Sequence, residues 1–267
     1  MNLLKSLFRV YTKDIFVSRG RVFIWWSMSV LLPIISLFFW RGAYTEKSQN
    51  LANIISLSNI ESYYLVAFAL TSFVIVHLEE GIIREDIKAG GLVRHLLKPI
   101  NILGNYFIKE YIYRLMQLSL GIFGALIISH LLHISIKLPS SFSIFLFGLV
   151  MIFIAQLICF TLKLALSASA FWMYENESLR DVLEICLYLF SGTVAPLVLY
   201  PSFLSQIIWW TPFPYIVYVP VAIFSGIITP DQYLFLFLKS LFWLIFGWGL
   251  MTFSWKKGLK IFTGAGI

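Results

Sequence analysis

Long apolar runs alternate with short charged connections along this chain, and this alternation restricts its fold more than any other feature. An α-helix rises about 1.5 Å per residue, so about 20 apolar residues cross the roughly 30 Å hydrocarbon layer of a bilayer. Runs of this kind occupy about residues 22–40, 61–78, 111–134, 142–168, 183–200 and 232–254. With 60% hydrophobic and 12% charged residues, the composition excludes an ordinary soluble protein. The sequence predicts an all-α integral membrane protein with six transmembrane helices, forming a single transmembrane domain over residues 1–267.

The first 21 residues are basic, but they lack a separate apolar core and a small-residue cleavage site. This argues against a removed signal peptide. At about 100° per residue, Lys5, Arg9 and Lys13 share one helix face. The opposite face carries the apolar side chains Leu3, Leu4, Leu7, Phe8, Tyr11 and Ile15. The pattern predicts an amphipathic helix over residues 1–21 that lies in the headgroup region, with an unstructured basic tail as the alternative.

The net charge of +7 follows the predicted topology and does not indicate a nucleic-acid partner. With the N-terminus in the cytoplasm, 16 of the 20 basic residues fall on or near the cytoplasmic side, and only Arg41, Lys47, Lys137 and Lys239 do not. This is the positive-inside bias of membrane proteins, and it places both termini in the cytoplasm. Cys159 and Cys186 lie in or beside apolar spans, so we expect reduced thiols.

Residues 201–230 contain no charged side chain and no histidine, yet Pro212, Pro214 and Pro220 interrupt them. Proline removes a helix hydrogen bond and clashes with the preceding turn, so this stretch does not make two regular crossings. We expect a re-entrant segment over residues 201–231 that enters the membrane from outside, with its irregular backbone shielded by protein. The alternative, one more crossing plus a loop, places the C-terminal lysines outside, against the charge bias.

Charge is concentrated between the second and third spans, in residues 77–99. Two apolar groups recur there at helical spacing: Ile82, Ile83 and Ile87, then Leu92, Val93, Leu96 and Leu97. Gly90 and Gly91 separate the groups and Pro99 ends the pattern. We predict a surface helix over residues 79–98, with a flexible joint, that suits docking against another protein; a solvated loop is the alternative.

Known catalytic motifs are incomplete or missing. Glu79, Glu80 and Arg84 form an E-E-x-x-x-R pattern that resembles the first motif of the intramembrane glutamate proteases. That family also needs a later His-x-x-x-Asn/Asp, and none of His95, His130 and His133 provides it. The chain also lacks H-E-x-x-H, Cys-x-x-Cys and any glycine-lysine dipeptide, so we assign no catalytic residue, no metal site and no phosphate-binding loop.

The order of these elements resembles the permease subunits of type-two ABC exporters. Single phrases resemble the paired, poorly characterised bacterial permeases of that class. They are FFWRGAY (residues 38–44), GGLVRHLLKP (90–99), SGTVAPLVLYPSFL (191–204) and PFPYIVYVPVAIFSG (212–226). The resemblance implies a permease in the bacterial plasma membrane that binds no cofactor itself. A separate ABC ATPase subunit would use ATP and Mg, and a second permease, homologous or identical, would complete the transporter.

In that family the helix after span two fits a cleft on the ATPase, so residues 79–98 would be the coupling helix. The coupling residues would be Glu79, Glu80, Arg84, Glu85, Asp86, Gly90, Gly91, Leu92 and Arg94. Residues 171–181 would add a second contact. Lys239, Trp209 and Trp210 are candidates for the path of an amphipathic, lipid-linked or drug-like substrate, although each also suits a plain interfacial anchor. Other ionisable candidates within or near the spans are Glu61, His77, His130, Lys163 and Glu184. A glutamate protease and a non-catalytic membrane scaffold are the alternative functions.

Overall fold

The computed structural model describes residues 9–13, 19–44, 54–97 and 101–264, and this part of the chain folds into helices without β-strands. The main helices are α1 (Arg19–Ala43), α2 (Leu57–Val74), α3 (Ile102–Leu132), α4 (Phe142–Ser167), α5 (Glu177–Phe190), α6 (Ser202–Ile208), α7 (Tyr218–Phe224) and α8 (Tyr233–Ile261). Most of the surface helix predicted over residues 1–21 lies outside the described residues. Within that range, residues 9–13 are helical and α1 begins at Arg19.

Five helical stretches within the described residues are long and apolar enough to cross a membrane. They are Trp26–Ala43, Leu57–Lys88, Ile102–Leu132, Phe142–Phe171 and Pro230–Ile261. The first four and the last of the predicted spans correspond to these stretches. The prediction of an all-helical membrane protein is therefore confirmed.

The fifth predicted span, residues 183–200, is not one continuous helix. In its place α5 begins at Glu177 and ends at Phe190, and its 14 residues rise only about 21 Å. Gly192, with a left-handed φ of 92°, turns the chain after the helix. In the remainder of the predicted span, residues 193–200, only Leu197–Leu199 is helical, as a 3₁₀ turn. The count of six crossings therefore stays a prediction.

Close helix packing in the bundle depends on glycine. α8 packs along α4, and α2 packs along α3. A Cβ atom on Gly121 of α3 would lie 2.5 Å from the hydroxyl oxygen of Ser72 in α2. A Cβ atom on Gly247 of α8 would lie 2.5 Å from the hydroxyl oxygen of Thr161 in α4. Small residues at these crossings let the helix backbones approach, which is the usual source of stability between helices in a membrane.

The proline-rich stretch is broken into short helices, as its prolines predict. α6 is followed by the single turn Phe213–Ile216 and by α7. Residues 215–224 are almost completely enclosed by protein, and none of their apolar side chains is more than 6% exposed. α7 packs against α4 and α2. Irregular backbone at membrane depth is tolerated only where protein covers it, and this burial would provide such cover. The re-entrant path from outside stays a prediction.

The bundle has two polar ends. One end is marked by Arg41, whose guanidinium lies 2.6 Å from the Glu61 carboxylate and also donates to the Leu132 carbonyl at 3.0 Å. This end is called the opposite end, because it lies across the bundle from the charged end. At the other, called here the charged end, two connections meet: the first connection (residues 75–101, between α2 and α3) and the second connection (residues 168–176, between α4 and α5). α5 starts at the charged end and reaches the opposite end, where Tyr63 donates to the Gly192 carbonyl at 2.8 Å.

Candidate functional site

The first connection is a series of short helical turns. After α2 ends at Val74, residues 75–78 are not helical. A turn at Glu79–Gly81 leads into the π-helix Ile82–Lys88, and a second turn at Val93–Leu96 follows. The predicted joint lies at Gly90 and Gly91. Gly90 has a φ of 72°, and a Cβ on Gly91 would lie 2.5 Å from the Glu85 carbonyl oxygen, so both positions require glycine.

Neighbouring helices hold the break after α2 in place. The backbone N–H of Val76 donates to the Cys159 sulfur of α4 at 3.5 Å, and that of His77 donates to the Glu110 carboxylate of α3 at 3.4 Å. Glu110 is in turn 2.6 Å from the Arg114 guanidinium, and both side chains are buried. Side chains from α3 and α4 thus satisfy backbone groups that the break frees, as irregular backbone in a membrane requires.

A buried lysine of α4 bonds to both the first connection and α5. The Lys163 ammonium group of α4 lies 3.1 Å from the Glu79 carboxylate of the first connection, and it also donates to Glu184 of α5. The side chains of Lys163 and Glu79 are only 1% and 5% exposed, whereas that of Glu184 is 38% exposed. Charges this deep are retained only when they are paired, so Lys163 fixes the start of the first connection against α4 and α5.

Asp86 fixes the middle of the first connection to the start of α3. It accepts a hydrogen bond from the Tyr106 hydroxyl at 2.6 Å, and its other carboxylate oxygen lies 3.4 Å from the His95 ring. Asn105, which precedes Tyr106, accepts a hydrogen bond from the Tyr11 hydroxyl at 2.8 Å. The described part of the N-terminal helix therefore lies next to the first connection.

The predicted coupling residues divide into two groups. Glu79, Asp86 and Leu92 are buried against their own chain, where Lys163, Tyr106 and the apolar core surround them. They hold the first connection in place and do not form part of its outer surface, while the coupling role of the nine residues stays a prediction. The exposed group consists of Glu80, Arg84, Glu85 and Arg94, with Gly90 and Gly91 partly exposed.

Exposed charges link the two connections across the surface. Glu80 lies 3.0 Å from Arg84 and 3.9 Å from Arg180 near the start of α5. The hydrogen bond from Arg180 to Asp181 raises the pKa of the Arg180 guanidinium above its ordinary value, so Arg180 stays charged. The Lys88 ammonium group lies 5.5 Å from the centre of the Tyr174 ring. Residues 171–181 therefore adjoin the first connection.

The carboxylates do not form a hydrolytic centre. Glu79 points to Lys163 and Glu80 points to Arg84 and Arg180, so the two side chains do not converge on one water position beside a histidine. His77 lies beside Arg114 instead, at 3.2 Å. Within the described residues, no three side chains of the metal-binding types come together. This arrangement disfavours the glutamate protease alternative.

The substrate-path candidates are only partly brought together. The Lys239 ammonium group lies 5.1 Å from the Trp210 ring centre and 4.5 Å from that of Phe235, and Trp210 is 78% exposed. Trp209 turns inward and packs on Tyr215 and Tyr218 at centroid distances of 5.9 and 5.8 Å. Lys239 and Trp210 form a cation–aromatic pair, while Trp209 belongs to the core.

Residues 30–266 match the family described as ABC-2 family transporter protein. The chain belongs to this family. No curated protein matches the chain. Family membership and the long apolar helices make the ABC-2 protein a multi-pass membrane permease of an ABC transporter. The family implies partnership with an ABC ATPase subunit, and its permeases are typically non-catalytic membrane components.

Sequence reasoning found the charged residues but not most of their partners. Lys163 and Glu184 stood out because charge inside an apolar span is costly. The contact of Lys163 with Glu79, 84 positions away, has no signal in the sequence. The Glu110–Arg114 pair did have one, because carboxylate and guanidinium four residues apart face each other on a helix.

Proposed function

We propose that this ABC-2 permease couples to its ATPase subunit through the exposed face of the first connection, residues 80–94, and moves an amphipathic substrate outward. The observation that carries the proposal is the construction of this segment. Its outer surface presents Glu80, Arg84 and Glu85, while its buried side chains are bonded to α3 and α4, and Lys163 of α4 is bonded in turn to α5. A force applied by a soluble partner at the outer surface would therefore enter three helices of the bundle.

The partner would supply ATP, Mg and hydrolysis, and this chain would supply the path. ATP-driven closure of two ATPase subunits would move the first connections of two permeases, either two copies of this chain or this chain with a homologue. The membrane would be the bacterial plasma membrane, with both termini in the cytoplasm, as the distribution of basic residues indicates. Lys239 beside Trp210 suits a substrate or lipid with an anionic head and an apolar body.

The first experiment is to tag the chain, extract it gently from its native membrane and identify the proteins that co-purify. We expect an ABC ATPase and a permease. If no ATPase accompanies the chain in several mild detergents, the coupling proposal loses its basis. A non-catalytic scaffold would give that result, and adding nucleotide would not change its behaviour.

Charge reversal then tests the contact in the reconstituted transporter. Arg84→Glu places like charge beside Glu80 on the outer surface, so we expect ATP hydrolysis without transport, in a chain that still inserts and folds. Lys137→Glu is the matched control, because Lys137 is exposed at the opposite end. Equal transport by the Arg84→Glu protein and the unchanged protein would contradict the proposal.

A further inference from the structure

A cavity opens at the charged end of the bundle, between the first connection, α3 and α8. Its volume is about 390 Å³, which falls within the usual range of ligand sites. It is lined by residues 95–96 and 101–103, and by Thr252, Trp255, Lys256 and Leu259 of α8. α3 packs along α2, whereas α8 packs along α4, and the cavity lies in the space left between α3 and α8. Its described lining starts at His95, one residue beyond the predicted coupling residues, so it forms a separate place in the fold.

The chain itself holds the inner walls of the cavity in place. Trp255 is 1% exposed, and its ring packs against that of Tyr106, with centroids 5.9 Å apart. The His95 ring lies 5.5 Å from the same Tyr106 ring. One nitrogen of His95 lies 3.4 Å from the Asp86 carboxylate, and the other lies 3.5 Å from the Asn105 amide. Both nitrogens therefore have partners within the chain, and His95 serves as a wall. A cavity that is already formed costs little conformational entropy when a ligand binds.

The lining combines apolar walls with positive charge at the rim. Its apolar side chains, besides Trp255, are Leu96, Ile102, Leu103 and Leu259. Lys256 is exposed, and no carboxylate is found among the described residues of the lining. α3 begins here, and the N–H groups in the first turn of a helix carry partial positive charge. The cavity therefore suits a ligand with an anionic head and an apolar body.

The cavity lies at the depth expected for lipid headgroups. The apolar run of α8 ends at about residue 254, and Trp255 and Lys256 follow directly. Tryptophan and lysine at the end of a span mark the interface between hydrocarbon and water. Basic pockets between membrane helices at this depth bind the headgroups of anionic lipids. A small anion such as phosphate would contact Lys256 but would leave the apolar walls in water, whereas a phospholipid would cover both.

We propose that this cavity is a binding site for an anionic phospholipid of the surrounding bilayer. Its phosphate lies beside Lys256 and the first turn of α3, and the upper part of an acyl chain packs on Leu103 and Leu259. The lipid is a resident ligand and not the transported substrate, because the substrate-path candidate Lys239 lies about 25 Å away along α8. Since residues 95–96 belong to the second turn of the first connection, the bound lipid also supports that turn against α8.

Lipid titrations followed by native mass spectrometry test the site on the purified full chain, together with any subunit that co-purifies. Dioleoyl phosphatidylglycerol is compared with dioleoyl phosphatidylcholine, because the two lipids differ only in the headgroup. We expect phosphatidylglycerol to bind about tenfold more tightly. Lys256→Gln should lower that affinity about fivefold, the effect of one basic residue beside an anionic lipid, and should leave phosphatidylcholine binding unchanged.

Lys257→Gln is the matched control. Lys257 is the neighbouring lysine and is also exposed, but it is not part of the lining, and its ammonium group lies 4.9 Å from the centre of the Phe253 ring. The two variants therefore lose the same charge at a similar depth, and only one loses it at the cavity. Because salt screens an exposed charge away from the bound headgroup, we expect Lys257→Gln to change phosphatidylglycerol affinity by less than about twofold.

Photo-crosslinking in living cells provides a second measurement. A benzoylphenylalanine is placed at position 259 in the cavity, or at position 253, where the natural Phe253 is 60% exposed and lies outside the lining. Position 253 should capture lipids in the proportions of the membrane. Position 259 should capture mainly anionic phospholipid.

Several outcomes would overturn the inference. Equal affinity for the two lipids would mean that the headgroup makes no specific contact. An equal loss in Lys256→Gln and Lys257→Gln would mean that the charge of the whole end, and not the cavity, attracts the lipid. The inference also fails if position 259 captures protein, an amphiphile other than a phospholipid, or lipids in the proportions found at position 253. None of these results depends on an ATPase, so the inference and the proposed function can fail separately.

Discussion

Replacing Lys163 with methionine tests how the charged end is held together. The lysine side chain is 1% exposed and bonds to Glu79, which is 5% exposed, and to Glu184, which is 38% exposed. Methionine fills a similar volume without charge, so the variant leaves the Glu79 carboxylate buried without its cation. Breaking a buried pair in this way costs about 3–5 kcal/mol. Almost all of this cost should come from Glu79, because water already reaches Glu184.

The same reasoning predicts which second substitution restores stability. Glu79→Gln in the Lys163→Met background removes the buried charge, so the double variant should regain at least about half of the lost free energy of unfolding. Glu184→Gln alone should cost no more than about 1 kcal/mol, as exposed ion pairs do. A double-mutant cycle on reversible unfolding in mixed micelles measures these values.

Two results would refute this account. One is a loss of less than about 1 kcal/mol for Lys163→Met, since a buried unpaired carboxylate must cost more than that. The other is a double variant no more stable than Lys163→Met alone, which would mean that Glu79 and Lys163 are not energetically coupled. Glu184→Gln provides the internal control, because it removes a carboxylate from the same lysine at a solvated position.

Three further substitutions test close contacts by thermal unfolding. Gly91→Ala should destabilise the protein, because its Cβ would lie 2.5 Å from the Glu85 carbonyl oxygen, while Gly81→Ala, with no atom within 4 Å, should be neutral. Gly258→Ala should lower the melting temperature, because its Cβ would lie 2.0 Å from the Phe171 ring, and Gly249→Ala should not. Tyr63→Phe should cost about 1–3 kcal/mol by removing the hydrogen bond to the buried Gly192 carbonyl. An equal melting temperature within either glycine pair would contradict the packing described here.

Hydrophobicity predicted five membrane helices, including the largely enclosed α2 and α4, but it failed at residues 183–200 and at the start of α3. α3 begins at Ile102, about nine residues before the predicted apolar run. The predicted run starts too late because charge lowers the hydropathy of this part, although Glu110 and Arg114 form a buried pair. Residues 191–200 are as apolar as a span, but they turn back at Gly192 and bond to Tyr63 and Tyr64. A hydropathy profile does not distinguish contact with lipid from contact with protein.

The candidate site shows the same limit for charged residues. Spacing alone located the joint at Gly90 and Gly91 and the short helical turns on both sides of it. It could not show that Asp86 faces inward, because that depends on Tyr106, 20 residues further along the chain. A charged side chain on a short amphipathic turn suits solvent and a buried pair equally, and only the tertiary partner decides between them.

α5 offers the shortest route by which movement at the charged end reaches the proline-rich segment. Of its residues only Leu187 is buried, so few apolar contacts hold the helix along its length. Two bonds fix it instead. Lys163 donates to Glu184 in the middle of the helix, and the Ser191 carbonyl after its last turn accepts from the Tyr218 N–H of α7 at 2.8 Å. A helix whose sides are weakly held transmits displacement along its axis. A shift of the first connection, passed to α5 through Lys163 and Glu184, should therefore move residues 191–218 more than it moves α3. Distances between spin labels on these elements, measured with and without nucleotide in the assembled transporter, should show this order of displacement.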